Sequence, residues 1–289
     1  MTELRLATRS SRLALTQSRW VADRLAAVHE GLKVSLVEVT TSGDIDRSSP
    51  VAALTEMGAF VRSVQTAVLE GRADAAVHSC KDLPVLGPEQ LTAIYPEREH
   101  PWDVLCGSTL EALRDGARVG TGSPRRAAQL RRLRPDLEIA EIRGNVETRL
   151  AAVKSGTVDA VVLAEAGLRR LGLTEAIDHV FDIKEMVPAP AQASLAIEAV
   201  AGSTAAELVS ALDHAPTRVC VEAERSLLAI TGAGCRSALG ALAQVELSTM
   251  GMYGFVEDED GARSAWASAP EPGAVAEALR IALALGLGA

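Results

Sequence analysis

Lys81 and Asp82 sit in the run His78-Ser79-Cys80-Lys81-Asp82-Leu83-Pro84, directly after the apolar stretch Ala75 to Val77. That stretch reads as a buried strand, which places the cation and the carboxylate in the loop at its carboxyl end. A carboxylate there could stabilise a developing cation or shuttle protons. A structural salt bridge is the plain alternative, and the residues alone leave the two even. His78 reads as a packed, hydrogen-bonded residue.

Arginine supplies 25 of the 29 basic residues, the lysines being only Lys33, Lys81, Lys154 and Lys184. Guanidinium groups favour bidentate recognition of carboxylate or phosphate, although a biased genome gives the same excess. Between Arg118 and Arg149 eight arginines stand against Asp136, Glu138, Glu141 and Glu147, a local balance of +4 inside a chain of net charge −9. Arg125 and Arg126 follow Thr121-Gly122-Ser123 into the first turn of an expected helix, where unpaired N–H groups and the helix dipole already favour an anion. For Arg131, Arg132 and Arg134 a solvated helix face is an equal reading. Arg9, Arg125, Arg126, Arg143 and Arg149 fall at expected strand ends and suit a ligand with several carboxylates or phosphates. Cys235, in Gly232-Ala-Gly234-Cys235-Arg236, has small neighbours that would let its sulfur reach outward as nucleophile or covalent anchor. Without further context a lone cysteine is an inert small hydrophobe.

These residues need a scaffold, and 289 residues at 48% hydrophobic and 23% charged allow a folded protein of two or three domains. Leu4 to Ala7, a helix over Ser11 to Val28 and Val34 to Val39 read as βαβ; Arg118 to Gly120, a helix over Pro124 to Leu133 and Leu137 to Ile142 repeat the grammar. Thr8-Arg9-Ser10-Ser11-Arg12 is echoed by Thr121-Gly122-Ser123-Pro124-Arg125, and Gly71-Arg-Ala-Asp74 by Gly156-Thr-Val-Asp159. The expected class is α/β, with two doubly wound lobes around a cleft. Pro84 to Pro101 and Val187 to Gln192 suit crossovers between them. After Leu212 a helix over Thr217 to Ile230, a strand-like stretch over Leu239 to Thr249 and a helix over Ala274 to Leu287 suggest a small α+β C-terminal domain. The boundaries drawn are 1–97 with 193–210, 98–192, and 211–289.

The acidic balance argues against duplex nucleic acid or an anionic membrane as a general partner. Cys80, Cys106, Cys220 and Cys235 form no Cys-x-x-Cys pair, so neither a metal site nor a disulfide framework is signalled. Reduced thiols, the lack of a signal-peptide pattern and the lack of a membrane-length apolar run lead to a cytoplasmic expectation.

Taken in order, Leu4-Arg-Leu-Ala-Thr-Arg9-Ser, Thr41-Ser-Gly-Asp44, Ala76-Val-His-Ser-Cys-Lys81-Asp82-Leu-Pro, Gly120-Thr-Gly-Ser-Pro-Arg125-Arg126, Ile142-Arg143-Gly-Asn-Val-Glu-Thr-Arg149, Ala166-Gly-Leu-Arg-Arg170 and Gly234-Cys235 resemble the porphobilinogen deaminase (hydroxymethylbilane synthase) family. The resemblance implies a monomer that condenses four porphobilinogen molecules into hydroxymethylbilane, releasing ammonia at each addition. It implies lobes resembling type II periplasmic binding proteins. It further implies a dipyrromethane cofactor, thioether-linked to Cys235, that primes the chain. By motif, Asp82 would assist ammonia departure, stabilise the methylenepyrrolenine cation and help proton loss after carbon–carbon bond formation. Arg9, Arg125, Arg126, Arg143, Arg149 and Arg170 would bind cofactor and substrate carboxylates, with Ser11, Asp44, Ser79, Lys81 and Ser123 adding contacts.

The chain departs from the family pattern in places. Val51-Ala-Ala-Leu-Thr-Glu-Met57-Gly58 lacks the usual lid lysines, and Pro190-Ala191-Gln192-Ala193-Ser194 replaces Pro-Gly-Gln-Gly-Ala, where alanine is penalised at any site of positive φ. Two alternatives to a working transferase are a diverged, non-catalytic binder of polycarboxylate pyrroles and a two-lobe solute-binding module.

Overall fold

The computed structural model describes residues 2–39, 57–232, 238–247, 249–269 and 274–287. The chain divides into two compact units: Met1–Arg98 with Ser194–Arg218, and Glu99–Ala193 with Val219–Ala289. Along the first unit run β1 (Glu3–Arg9), α1 (Arg12–Val28), β2 (Lys33–Val39), α2 (Met57–Leu69), β3 (Ala75–Ser79) and β4 (Leu91–Ile94). The second unit follows with β5 (Asp103–Cys106), β6 (Arg118–Gly120), α3 (Pro124–Leu133), β7 (Glu138–Ala140), α4 (Val146–Lys154), β8 (Ala160–Ala164), α5 (Glu165–Leu171) and β9 (His179–Val180). The chain returns to the first unit as β10 (Leu195–Val200) and α6 (Thr204–Ser210), leaves it within α7 (Ala215–Ile230), and ends in β11 (Ala238–Glu246), β12 (Thr249–Asp258), β13 (Gly261–Ala269) and α8 (Ala274–Ala284).

The two five-stranded sheets share one design. Unit 1 is ordered β2-β1-β3-β10-β4 and unit 2 β7-β6-β8-β5-β9. In each, the first three strands are parallel and the fourth runs antiparallel to both neighbours. Both faces are covered, which explains the unbroken apolar runs in the sequence. In unit 1, Leu4 and Leu6 pack with Val21 and Leu25 of α1 on one face, while Ala7 and Ala76 pack with Val64, Ala67 and Val68 of α2 on the other. In unit 2, Val119 and Val162 meet Leu130 of α3, and Val161 and Leu163 meet Leu168 of α5.

The sequence echo at Asp74 and Asp159 is a structural device. Asp74 accepts from the backbone N–H of Arg5 at 2.8 Å and from its guanidinium, and its own N–H returns a bond to the Arg5 carbonyl at 2.9 Å. Asp159 makes the same backbone pair with Arg118, at 2.7 and 2.8 Å, and takes its guanidinium from Arg114 instead. Each carboxylate locks a turn onto the first strand of its unit. Hydrogen bonds from Arg5 and from the Arg118 backbone hold both carboxyls below their usual range. At the other echo the helix caps fall one residue out of step. Ser11 caps α1 and Ser123 caps α3, so the residue equivalent to Ser123 in the repeat, Ser10, is not the cap.

The C-terminal sheet is antiparallel, ordered β11-β12-β13, with Leu227 of α7 and Ile281 and Leu285 of α8 packed against Leu239, Met250 and Met252. The stretch read as one strand over Leu239 to Thr249 is β11 plus the start of β12, closed by a tight connection through Leu247, which is fully exposed at φ 55°. No glycine or asparagine marks that turn at Leu247, and β12 and β13 were not expected. Among the described residues no helix is long and apolar enough to cross a membrane.

Ala191 and Ala193 adopt φ of 59° and 71° and are buried. The backbone therefore keeps a glycine-type conformation with alanine side chains, at a cost of about 1 kcal/mol per site. Ala191→Gly and Ala193→Gly should each raise stability by up to about 1 kcal/mol, read as higher denaturation midpoints; unchanged or lower midpoints in both would show that the positive φ values carry no strain.

Candidate functional site

In unit 1, β1 and β3 are adjacent and parallel, so Arg9 and Ser79 emerge at the same sheet edge, where ligands bind in doubly wound folds. Ser11 spends its hydroxyl as the α1 cap, accepting from the Ala14 N–H at 3.3 Å. After Ser79 the chain makes a single 3-10 turn, Cys80–Asp82, that turns the Asp82 side chain into a cavity of about 220 Å³. The cavity is lined by Arg9, Ser11, Gln17, Phe60, His78, Ser79 and Asp82, with apolar side chains between them. It is smaller than the roughly 300–1,000 Å³ of pockets for drug-sized ligands, a size suited to one small ring at a time. Arg9 lies over the Phe60 ring at 4.2 Å, a cation–π contact. Gln17 Nε2 donates to Ser79 Oγ at 3.0 Å. Lys81 is half-buried on the same turn but does not line the cavity. The half-buried Asp82 carboxylate accepts no hydrogen bond and pairs with no cation among the described residues.

In unit 2 the arginines have a different setting. Pro124 and the Ser123 cap start α3, and Arg125 and Arg126 of its first turn are buried. Both converge on one carboxylate, Asp103 at the start of β5, which is fully buried. Arg125 Nη1 donates to Asp103 Oδ2 at 2.7 Å and to the Val187 carbonyl at 2.6 Å. Arg126 donates to Asp103 Oδ1 through Nε at 2.9 Å and Nη2 at 2.7 Å, and through Nη1 to the Val162 carbonyl at 2.9 Å. Gln192 Nε2 completes the set at 3.0 Å from Asp103 Oδ1. Burial alone would raise the Asp103 carboxyl, but Arg125 and then Arg126 outweigh it and hold it well below the usual carboxylate range.

Arg149, on α4, has no carboxylate partner among the described residues; its Nε donates to the Gly144 carbonyl at 2.9 Å. Burial, and then repulsion from Arg126, pull its guanidinium below the ordinary value. The Arg143-Gly144-Asn145 motif is what aims this helix. Asn145 Oδ1 caps α4 by accepting from the Thr148 N–H at 2.8 Å, and Gly144 sits at φ 102°, where a Cβ would come within 2.8 Å of the Thr148 side chain. Arg143 is exposed and forks onto Glu141. Arg170, drawn down to about 10 by burial with partial compensation from Glu99, donates to the Ala193 carbonyl. Arg132 and Arg134 are tied to surface carbonyls and to Ser264 and Asp136.

The candidate residues thus fall into two sets. Unit 1 gathers Arg9, Ser11, Ser79 and Asp82 at one cavity. Unit 2 holds Arg125, Arg126 and Arg149 within electrostatic reach of one another with a single buried carboxylate, Asp103, among them. Three guanidinium groups against one carboxylate fit a polycarboxylate such as dipyrromethane. Asp44 and Cys235 lie outside the described residues. Gln17, Phe60, Asp103 and Gln192 were missed in the sequence. A carboxylate opening the apolar run Asp103-Val-Leu-Cys106 was the one signal available for Asp103.

Asp103→Asn should lower stability by about 3–5 kcal/mol, because two buried guanidinium groups lose their counter-charge. Since the folded carboxyl is depressed, this contribution is complete above the unfolded value of about 3.9 and fades as pH falls below it. Denaturation midpoints of the parent and the variant should differ at pH 7 and approach each other below pH ~4; equal midpoints at pH 7 would contradict the ion-pair assignment.

Two families of known sequence match the chain: "Porphobilinogen deaminase, dipyromethane cofactor binding domain" over residues 4–207 and "Porphobilinogen deaminase, C-terminal domain" over residues 218–287. The chain is 45% identical over 263 residues to the porphobilinogen deaminase of Roseiflexus castenholzii, covering 89% of this chain and 87% of that one. It is 45% identical over 295 residues to that of Xanthomonas axonopodis pv. citri (99% and 96%) and 44% identical over 279 residues to that of Stenotrophomonas maltophilia (94% and 91%). Among solved structures, the effector-binding domain of BenM with benzoate overlays with a TM-score of 0.42 at 14% identity (80% and 93% covered), and the periplasmic aliphatic sulphonate binding protein SsuA from Escherichia coli with 0.43 at 15% (79% and 70%). The fold class itself stands on the strand order and the C-terminal sheet described above. By its sequence matches across both parts of the chain, this protein belongs to the porphobilinogen deaminase family.

Proposed function

We propose that this chain, an enzyme of tetrapyrrole biosynthesis with a dipyrromethane-binding domain, condenses four porphobilinogen molecules head to tail into hydroxymethylbilane, with ammonia leaving at each addition. The observation that carries this reading is the unpartnered Asp82 carboxylate in a cavity that also holds Arg9. A substrate with two carboxylates and an aminomethyl group needs a cation to hold its acids and an anion to face the charge that develops as ammonia departs. Arg9, with Ser11 and Ser79, supplies the first. Asp82 supplies the second, and with no protein cation against it, its charge is not already neutralised.

Arg125, Arg126 and Arg149 are the residues to hold the dipyrromethane carboxylates, and Arg143, Arg170, Ser123, Lys81 and Asp44 are assigned further contacts by motif. The bound dipyrromethane supplies a fixed end on which the chain can grow, and Cys235 is assigned as its attachment point. Thioether formation there leaves the other cysteines untouched, in keeping with the burial of Cys80, Cys106 and Cys220; burial pushes the Cys106 thiol up to about 12. The proposed setting is a cytoplasmic monomer acting on a small-molecule substrate.

The test is turnover of porphobilinogen by the parent and by Asp82→Asn. The parent should release four ammonia molecules per bilane. The variant should lose about 100-fold or more in kcat with an unfolding free energy within about 0.5 kcal/mol of the parent, because Asp82 has no partner among the described residues. Near-parent turnover in the variant would remove Asp82 from the reaction, and a parent that yields neither ammonia nor bilane would overturn the function.

A further inference from the structure

Three buried polar side chains of unit 1 have no part in the reading above. Gln65 of α2, His78 of β3 and Glu198 of β10 are all nearly solvent-free, on the face of the sheet that α2 covers with Val64, Ala67 and Val68. His78 lies opposite Ala196, and Glu198 opposite Ala76, so the imidazole and the carboxylate are diagonal neighbours on that face. His78 Nε2 is 3.1 Å from Glu198 Oε2, an ion-pair contact rather than an aligned hydrogen bond. Gln65 Nε2 donates to both Glu198 oxygens, at 2.9 and 3.2 Å, and fixes the carboxylate. Buried polar sets of this kind are often replaceable by apolar side chains of similar volume without loss of stability, so packing alone does not call for the trio. Its outer end explains it: His78 lines the same cavity as Asp82, and its Nδ1 has no partner among the described residues.

We propose that His78 is a second proton-transfer group of this cavity and that Glu198 is the residue that positions it, an inference that rests on the deaminating condensation proposed above. In each addition the aminomethyl group reacts as its ammonium form: the C–N bond breaks and nitrogen leaves with the bonding electrons as neutral ammonia. The new C–C bond forms at a pyrrole carbon, and the C–H bond at that carbon then breaks, returning its electron pair to the ring. His78 Nδ1 takes this proton. The imidazolium so formed keeps its Nε2–H toward the Glu198 carboxylate, and the proton passes on to the released ammonia, which leaves as ammonium. Asp82 keeps its charge-stabilising role, and His78 adds a second proton acceptor beside it. The charged groups around the imidazole among the described residues are Glu198 from β10, Arg9 from the end of β1 and Asp82 from the turn after β3; α1 and α2 present the neutral Gln17 and Gln65.

The test uses the full chain and two variants, His78→Gln and Glu198→Gln. In the substrate-free parent, imidazole 15N shifts should show Nε2 protonated and Nδ1 bare, with this preference weakened in Glu198→Gln. His78→Gln should fold with parent-like circular dichroism and lose about 100-fold in kcat with KM within about twofold. Glu198→Gln should lose less, in proportion to its tautomer shift. An Nδ1–H tautomer in the parent, or His78→Gln turnover within twofold of the parent, overturns the proposal while leaving the function intact. A His78→Gln chain that does not fold leaves the 15N pattern and the Glu198→Gln kinetics to decide, and parent-like values for both in that variant also overturn it. A parent without bilane formation removes the function and the proposal together.

Discussion

Asp103 is the constraint on which unit 2 depends. It is one carboxylate with no solvent exposure, and it receives two guanidinium groups and an amide. Buried charges of this kind need paired, hydrogen-bonded surroundings, and here four donors converge on the two carboxylate oxygens. The consequence reaches beyond stability. By gripping Arg125 and Arg126 from one side, Asp103 fixes where their remaining N–H groups point, and it neutralises only one of the three positive charges that Arg149 completes. The proposed dipyrromethane carboxylates would answer the rest. The proposed anion site would be ordered before binding, so little side-chain entropy would be lost when carboxylates arrive.

The same logic explains the backbone around Gln192. Its amide donates to Asp103 and to the Pro101 carbonyl, the Ala191 N–H donates to Glu224 Oε2 at 2.6 Å, and Arg170 holds the Ala193 carbonyl. Two left-handed alanines are kept in place by bonds on either side of them. Strain of this order persists only where neighbouring contacts over-determine it. Unit 1 presents the opposite arrangement, since the cavity carboxylate Asp82 takes part in no hydrogen bond or ion pair among the described residues.

The elements that fix the site were readable because doubly wound units leave strong local marks. Apolar runs of strand length alternate with capped amphipathic helices, so α3 begins and ends where Ser123 and Leu133 indicate. The role of Asp82 as a loop carboxylate followed from the strand before it. Burial was not readable. Nothing local distinguishes Arg125, sealed on Asp103, from Arg143, exposed on Glu141, because the difference lies in a partner some twenty residues away in sequence. The C-terminal sheet was legible only in part, since the β11–β12 connection passes through Leu247 in a conformation that leucine rarely adopts and that no turn residue announces.

The intact mass of the purified chain after exposure to porphobilinogen, set beside a Cys235→Ser variant treated in the same way, tests most directly whether this cationic site serves a covalently held pyrrole chain. The expected result is an added mass of two pyrrole units, with their ammonia lost, that is present in the parent and absent from the variant. A parent of unmodified mass, or an equal addition in the variant, would contradict it.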